Sequence, residues 1–190
     1  MNDSQSPSLD TLFADLLAMA ETGGDRRPPV ERWDPPLSGD IDICIARDGR
    51  WFHEGSPIRR DALVRLFSSI LKREGDQYYL VTPGEKWRLR VDDAPFFIIG
   101  VERVVRAGQE ALLFEAATGE KVVAGENHPL RVVSDSQTGE PSPYLLVRDG
   151  MEGLLARGVF YQLAEWARQG PDKNQAVLGV YSLGAFFPLE

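Results

Sequence analysis

A single cysteine, Cys44, and two histidines, His53 and His128, occur in a chain of 190 residues. One thiol can build neither a disulfide framework nor a thiolate metal site. Glu54 follows His53, but no second histidine stands four residues on, so the helical zinc-protease pattern is absent. No metal and no cofactor are expected. Long apolar runs are missing as well: none approaches the roughly 18–20 residues that span a bilayer. The opening MNDSQSPSLD lacks the basic start and apolar centre of a secretory leader. A cytoplasmic protein with no membrane partner is the expectation.

Catalytic signatures are equally scarce. There is no G-x-x-x-x-G-K-[ST] loop and no G-x-G-x-x-G turn after a strand. Ser182 in YSLGAF resembles a nucleophile elbow only superficially, because Val180 stands where that motif needs its first glycine. A strand serine is the expected role, and Cys44, inside an apolar run, reads as a buried inert thiol. His53 is expected on a hairpin surface and His128 in a turn. Positive charge is also short: the net charge is −8. Extended nucleic acid is excluded as a partner, since phosphate affinity needs clustered Lys and Arg. The deficit is uneven, at −5 over residues 1–40, +1 over 41–110 and −4 over 111–190. The bases therefore gather in the middle of an acidic chain.

What is present is a globular composition, 43% hydrophobic and 26% charged. SPSLDTLFADLLAMAETGG predicts a short amphipathic helix capped by Ser8 or Asp10 and ended by Gly23-Gly24. Four prolines in DRRPPVERWDPPLSGD deny both helix and central strand. IDICIARDGRWFHEG alternates at period two, with Ile41, Ile43 and Ile45 on one face and a turn at Asp48-Gly49. SPIRRDALVRLFSSILKREG predicts a helix from a Ser56 cap to Gly75, burying Leu63, Leu66, Phe67, Ile70 and Leu71. A second hairpin turns through Thr82-Pro83-Gly84. Strands are expected at 96–105, 111–116, 121–123, 130–133 and 144–148. MEGLLARGVFYQLAEWARQG predicts the last helix, and AVLGVYSLGAFFPLE a closing strand.

CIARDGRWFHEG has an echo in LLVRDGMEGLLARG, where Arg-Asp-Gly again leads from an apolar run towards a helix. Setting Ile58 against Leu155 aligns Arg60 with Arg157 and Leu63 with Phe160. Two readings fit this spacing: a second copy of one hairpin–helix unit, four residues shorter and missing much of the hairpin's second strand, or one turn motif that occurs twice by chance.

One stretch carries candidate binding residues. In TPGEKWRLRVDD, Lys86, Arg88 and Arg90 alternate with Trp87, Leu89 and Val91. On a strand these trios point to opposite faces, so three cations line one face at intervals of roughly 7 Å. Such a row suits the phosphates of a nucleotide or an acidic peptide, with Thr82 and Gly84 shaping a turn that offers backbone N–H donors. The alternative is a solvated sheet face neutralised by cross-strand Asp or Glu. Arg60 and Arg157, near helix starts, are further candidates.

DIDICIARDGRWFHEGSPIRRDALVRLFSSIL, YYLVTPGEKWRLRVDDAPF, YLLVRDGMEGLLARGVFYQLAEWA and GVYSLGAFFPL together resemble the bacterial domain of unknown function 1285 family, from about Trp33 onward. The resemblance implies an α+β protein of two small packed domains with a duplicated hairpin–helix–strand core and a strand-rich, loosely pleckstrin-homology-like C-terminal part. It also implies a ligand site at the domain interface suited to a nucleotide-like molecule, and a role in signal transduction; it lends no catalytic residue. The expected organisation is an N-terminal helix and Pro-rich segment over 1–40, an α+β domain over 41–94 and a β-rich domain over 95–190. The expected function is non-enzymatic sensing of a small anionic or nucleotide-like ligand. The alternative is a protein–protein interaction module docking a partner through the N-terminal segment or a sheet edge.

Overall fold

The computed structural model describes Ala14, residues 27–171 and residues 177–190. The helix expected over residues 8–22 lies outside that range except for Ala14, which is helical. The chain divides into two compact units. The first holds the described residues up to Ala46 together with Arg50–Asp92, and the second Arg47–Gly49 together with Asp93–Glu190. Both are strand-rich α+β domains; apart from helical Ala14, the described residues give each one α-helix. No described helix is long and apolar enough to cross a membrane.

The first unit holds a six-stranded sheet and a helix that buries Phe67 and Ser68. After a 3₁₀ turn at Val30–Arg32 come β1 (Leu37–Ile45), β2 (Trp51–His53), β3 (Ser56–Pro57), helix α1 (Asp61–Ser69), β4 (Leu71–Glu74), β5 (Gln77–Val81) and β6 (Lys86–Val91). Their spatial order is β3-β2-β1-β6-β5-β4, with β1 and β6 parallel and the other pairs antiparallel. Ile41, Ile43 and Ile45 are buried as their alternation requires, and Phe67 and Ile70 join them in the core. The Trp51 and Phe67 rings stack at 6.3 Å.

Three local elements differ from the expectations. The extended backbone begins within the Pro-rich segment, at Leu37, because beyond Pro36 every residue again has an N–H to pair; Leu37 lies opposite Lys86. Ser56 caps no helix: Glu54 and Gly55, at φ 47° and 74°, turn the chain back so that Ser56 lies opposite His53. The helix starts at Asp61 and stops at Ser69, because Leu71–Glu74 turns through Gly75 and pairs with β5. Pairing across a turn outweighs a helical period that the same residues also satisfy.

The second unit holds β7 (Phe96–Arg106), β8 (Gln109–Ala116), β9 (Lys121–Val123), β10 (Leu130–Ser134), β11 (Pro141–Arg148), β12 (Met151–Leu155), helix α2 (Arg157–Glu165), β13 (Arg168–Gln169), β14 (Leu178–Ser182) and β15 (Ala185–Pro188). Six strands order as β10-β11-β12-β7-β8-β9, and β13-β14-β15 form a separate three-stranded sheet. The five strands expected up to Arg148 are present. Met151–Leu155 is not helical, however: it is a central strand between β11 and parallel β7, buried on both faces. The expected loss of the second hairpin strand is overturned too, since β12 has five residues against three in β2. The C-terminal stretch is a hairpin, turning at Leu183-Gly184 with φ 50° and 78°.

The order hairpin, helix, three-stranded meander thus occurs twice, as β1 to β6 and as β11 to β15. The two differ in sheet connection. In the first the last meander strand returns parallel to β1, whereas in the second the meander stands apart and β12 takes β7 as its parallel neighbour.

Candidate functional site

Lys86, Arg88 and Arg90 share one face of β6, as their spacing requires, and each meets an anion. The Arg88 guanidinium donates twice to Asp40, directly opposite on β1, at 2.7 and 2.9 Å. These bonds hold the Asp40 carboxyl below its usual range. Lys86 pairs with Glu74 at 3.0 Å and Asp34 at 3.6 Å, and lies over the Tyr79 ring. Arg90 faces Asp92 at 3.4 Å and donates to the Cys44 sulfur from Nε at 3.3 Å and Nη2 at 3.1 Å. Cross-strand neutralisation, the alternative for this row, thus holds for Arg88 through Asp40 and for Lys86 through Glu74, whereas the carboxylate beside Arg90 is its near neighbour Asp92. Arg88 and Arg90 still border an open hollow of about 390 Å³ with Asp40, Tyr78 and Gln77.

The turn beside the row is self-contained. Thr82 donates its N–H to the Glu85 carbonyl at 2.9 Å, and its hydroxyl accepts the Glu85 N–H at 3.1 Å. Thr82 is buried and Gly84 exposed. Arg60 immediately precedes α1 in the first unit, whereas Arg157 opens α2 in the second.

Glu74 is the hub of the row's anionic side. Burial pushes its carboxyl up, but hydrogen bonds from Lys86 and Lys72 outweigh that, and the group lies below its ordinary value of 4.5. A carboxyl lowered on folding stabilises the fold above its unfolded value, and that contribution is lost as pH falls through the folded one. Glu74→Gln is therefore expected to lower the unfolding midpoint at about pH 7, with the deficit shrinking from about pH 4.5 downward. Melting both proteins at a series of pH values checks this; a deficit constant with pH would refute the charge pairing.

The second unit carries a larger hollow of about 860 Å³, all of whose lining belongs to that unit. Its wall is apolar where Phe97 packs on the buried cluster of Ala94, Tyr144 and Leu154. Phe160, half-buried, and Tyr161, 63% exposed, extend it along α2. Two guanidinium groups stand on the lining. Arg47 pairs with Asp93 and donates to the Ser142 hydroxyl at 2.9 Å. The Tyr144 hydroxyl donates to the same carboxylate at 2.9 Å, and burial together with that bond raises the phenol above its ordinary 10.0. Arg157 pairs with Glu140. Of the sequence candidates only Arg157 lies here. Arg47, Tyr144, Glu140 and Tyr161 escaped notice because β11, the Arg47–Gly49 turn and α2 are distant in sequence and meet only in the fold.

Other candidates settle as structural. Cys44 is 8% exposed. His53 lies half-exposed on β2, and His128 sits in a turn with its Nδ1 at 3.0 Å from the Leu146 carbonyl. Ser182 is fully buried in β14. Among the described residues no His, Cys, Asp and Glu cluster could hold a metal ion.

No curated protein matches the chain. The crystal structure of a DUF1285 family protein from Silicibacter pomeroyi DSS-3 is 48% identical, covering 92% of this chain and 93% of that one with a TM-score of 0.80. A DUF1285 family protein from Shewanella baltica OS155 is 27% identical over 66% of this chain and 91% of its own, with a TM-score of 0.52. Family models for the N-terminal and C-terminal domains of DUF1285, a domain of unknown function, match residues 28–94 and 95–189. The chain therefore belongs to the DUF1285 family.

Proposed function

We propose that this protein is a non-enzymatic binding protein that senses a small anionic, nucleotide-like ligand, with the site in the hollow of its second domain. One observation carries the reading: the N-terminus of α2 at the hollow. Arg157 occupies its first position, no acidic residue lies in its first turn, and Ala156 before it makes no side-chain cap. A cation there opposes the helix dipole, an arrangement that costs a few tenths of a kcal/mol to about 1 kcal/mol. Helix α1 by contrast has Asp61 in its first turn. An anion between Arg157 and the open N–H groups offsets that cost, and the aromatic wall gives a flat body a surface to cover.

The row on β6 is the weaker site on grounds of shape, since cations at both places already have carboxylate partners. Its hollow has less than half the volume and no helix terminus among its lining residues. A role in signal transduction and a pleckstrin-homology-like character for the second domain belong to the same proposal; a strand-rich domain with one described helix is their support.

Thermal shift with a panel of anionic ligands tests the reading. A ligand confined to the folded state stabilises it by about 2.7 kcal/mol at a hundredfold excess over Kd. Arg157→Gln is expected to abolish the shift and Arg88→Gln to leave it intact. The reverse outcome would move the site to β6.

A further inference from the structure

The charges around the hollow restrict the ligand further, on the reading that a small anion binds there. Its lining holds two cations, Arg47 and Arg157, against three acids, Asp48, Asp135 and Glu140. The cations are not equally available. Arg47, itself 58% exposed, is held by two partners, the Ser142 hydroxyl and Asp93, whose side chain is only 18% exposed and which also accepts the Tyr144 hydroxyl. Asp93 is not itself on the lining, and with Ser142 it holds Arg47 in place. Arg157 and Glu140 are instead 79% and 58% exposed, an ion pair on the surface that water and ions can exchange. One exchangeable guanidinium accommodates one anionic group. Among the described lining residues, every further negative charge would sit beside acids with no third cation to meet it.

The rest of the lining calls for the opposite chemistry. Tyr161 and Val133 are 63% and 46% exposed, and with Phe97 and Phe160 they leave apolar surface open. The volume, about 860 Å³, falls in the range of small-molecule sites. We infer that the hollow takes a monoanion with a flat aromatic body, and that its anionic group replaces the Glu140 carboxylate on Arg157. A polyphosphate is disfavoured, even though its base could use the same wall. The anionic group is a carboxylate or a cyclic phosphodiester, both singly charged.

Calorimetric titration with 1-naphthoate, cyclic AMP and ATP tests this on the full chain. At least one of the two monoanions is expected to bind more tightly than ATP, and the one that does identifies the anionic group. Glu140→Gln removes the resident competitor and is expected to tighten that monoanion about twofold to fivefold, the worth of an exposed ion pair. Arg157→Gln is expected to weaken it at least about tenfold, with partial recovery in Arg157→Lys. ATP binding best, in an Arg157-dependent manner, would overturn the charge rule and leave the anion site standing. Tightest binding of a monoanion that Glu140→Gln leaves unchanged would overturn the displacement. Failure of all three probes at millimolar concentration would overturn the anion site itself, and the inference with it.

Discussion

Gly49→Ala is expected to be among the most damaging single-methyl changes in this protein, and Gly150→Ala a mild one. The two glycines end the two Arg-Asp-Gly turns, at φ 81° and 72°. Any L-residue at such an angle costs about 1–2 kcal/mol, so both substitutions share that term. They differ in surroundings. A Cβ on Gly49 would lie 2.4 Å from the Cβ of Phe97, whereas nothing comes within 4 Å of one on Gly150. The Phe97 Cβ is anchored to a strand backbone and cannot swing aside like the tip of a flexible side chain. With an overpacking cost of about 1–3 kcal/mol added, Gly49→Ala should lose about 2–5 kcal/mol in total. Denaturation midpoints of the two variants measure the difference directly; equal midpoints would refute the close approach. Because Phe97 also lines the large hollow, the variant should bind any ligand of that hollow more weakly as well.

That contrast shows what the sequence made legible and what it did not. The two turns read alike because both need positive φ, a property of the backbone alone. Which of them tolerates a methyl depends on Phe97, 48 positions further on. Strands with one wet face declared themselves by alternation, as at Ile41, Ile43 and Ile45. The strand Met151–Leu155 did not, because its residues are buried or half-buried on both faces and MEGLL, with Glu152 its one charge, shows no period-two alternation to set it apart from the helix that follows. The stretch Leu71–Glu74 failed for another reason: it completes a helical stripe on paper but pairs across the Gly75 turn in the fold.

The candidate site divides in the same way. Period two put Lys86, Arg88 and Arg90 on one face, and spacing could go no further. Their partners come from the fold: Asp40 from β1 beside β6, Glu74 from β4 one strand beyond β5, and Asp34 from the segment before β1. Arg157 emerged from the repeat alignment by its place at a helix start. The residues it works with lie on β11, on the loop before it and in a turn about a hundred positions earlier, and no local signal joins them.

Ser182→Ala is expected to cost about as much as Gly49→Ala, by the opposite physics of groups left unsatisfied. The serine is fully buried on β14. Its hydroxyl accepts the N–H of Leu112 on β8 at 2.9 Å and donates to the Ala124 carbonyl, just after β9, at 2.7 Å. One oxygen thus joins three segments and spends both its donor and its accepting side on backbone. A nucleophile needs that oxygen free to meet substrate, so this geometry excludes the catalytic role its glycine-containing motif superficially suggests. Alanine would leave a buried N–H and a buried C=O without partners, at about 1–3 kcal/mol each. A loss of about 2–6 kcal/mol is therefore expected. Ser182→Thr restores the hydroxyl but adds a methyl to a packed site, so it should recover only part of the loss. Amide hydrogen exchange at Leu112 supplies a local readout: in Ser182→Ala its protection should fall by more than the global loss of stability explains. An unchanged Leu112 amide would show that the hydroxyl is not its partner.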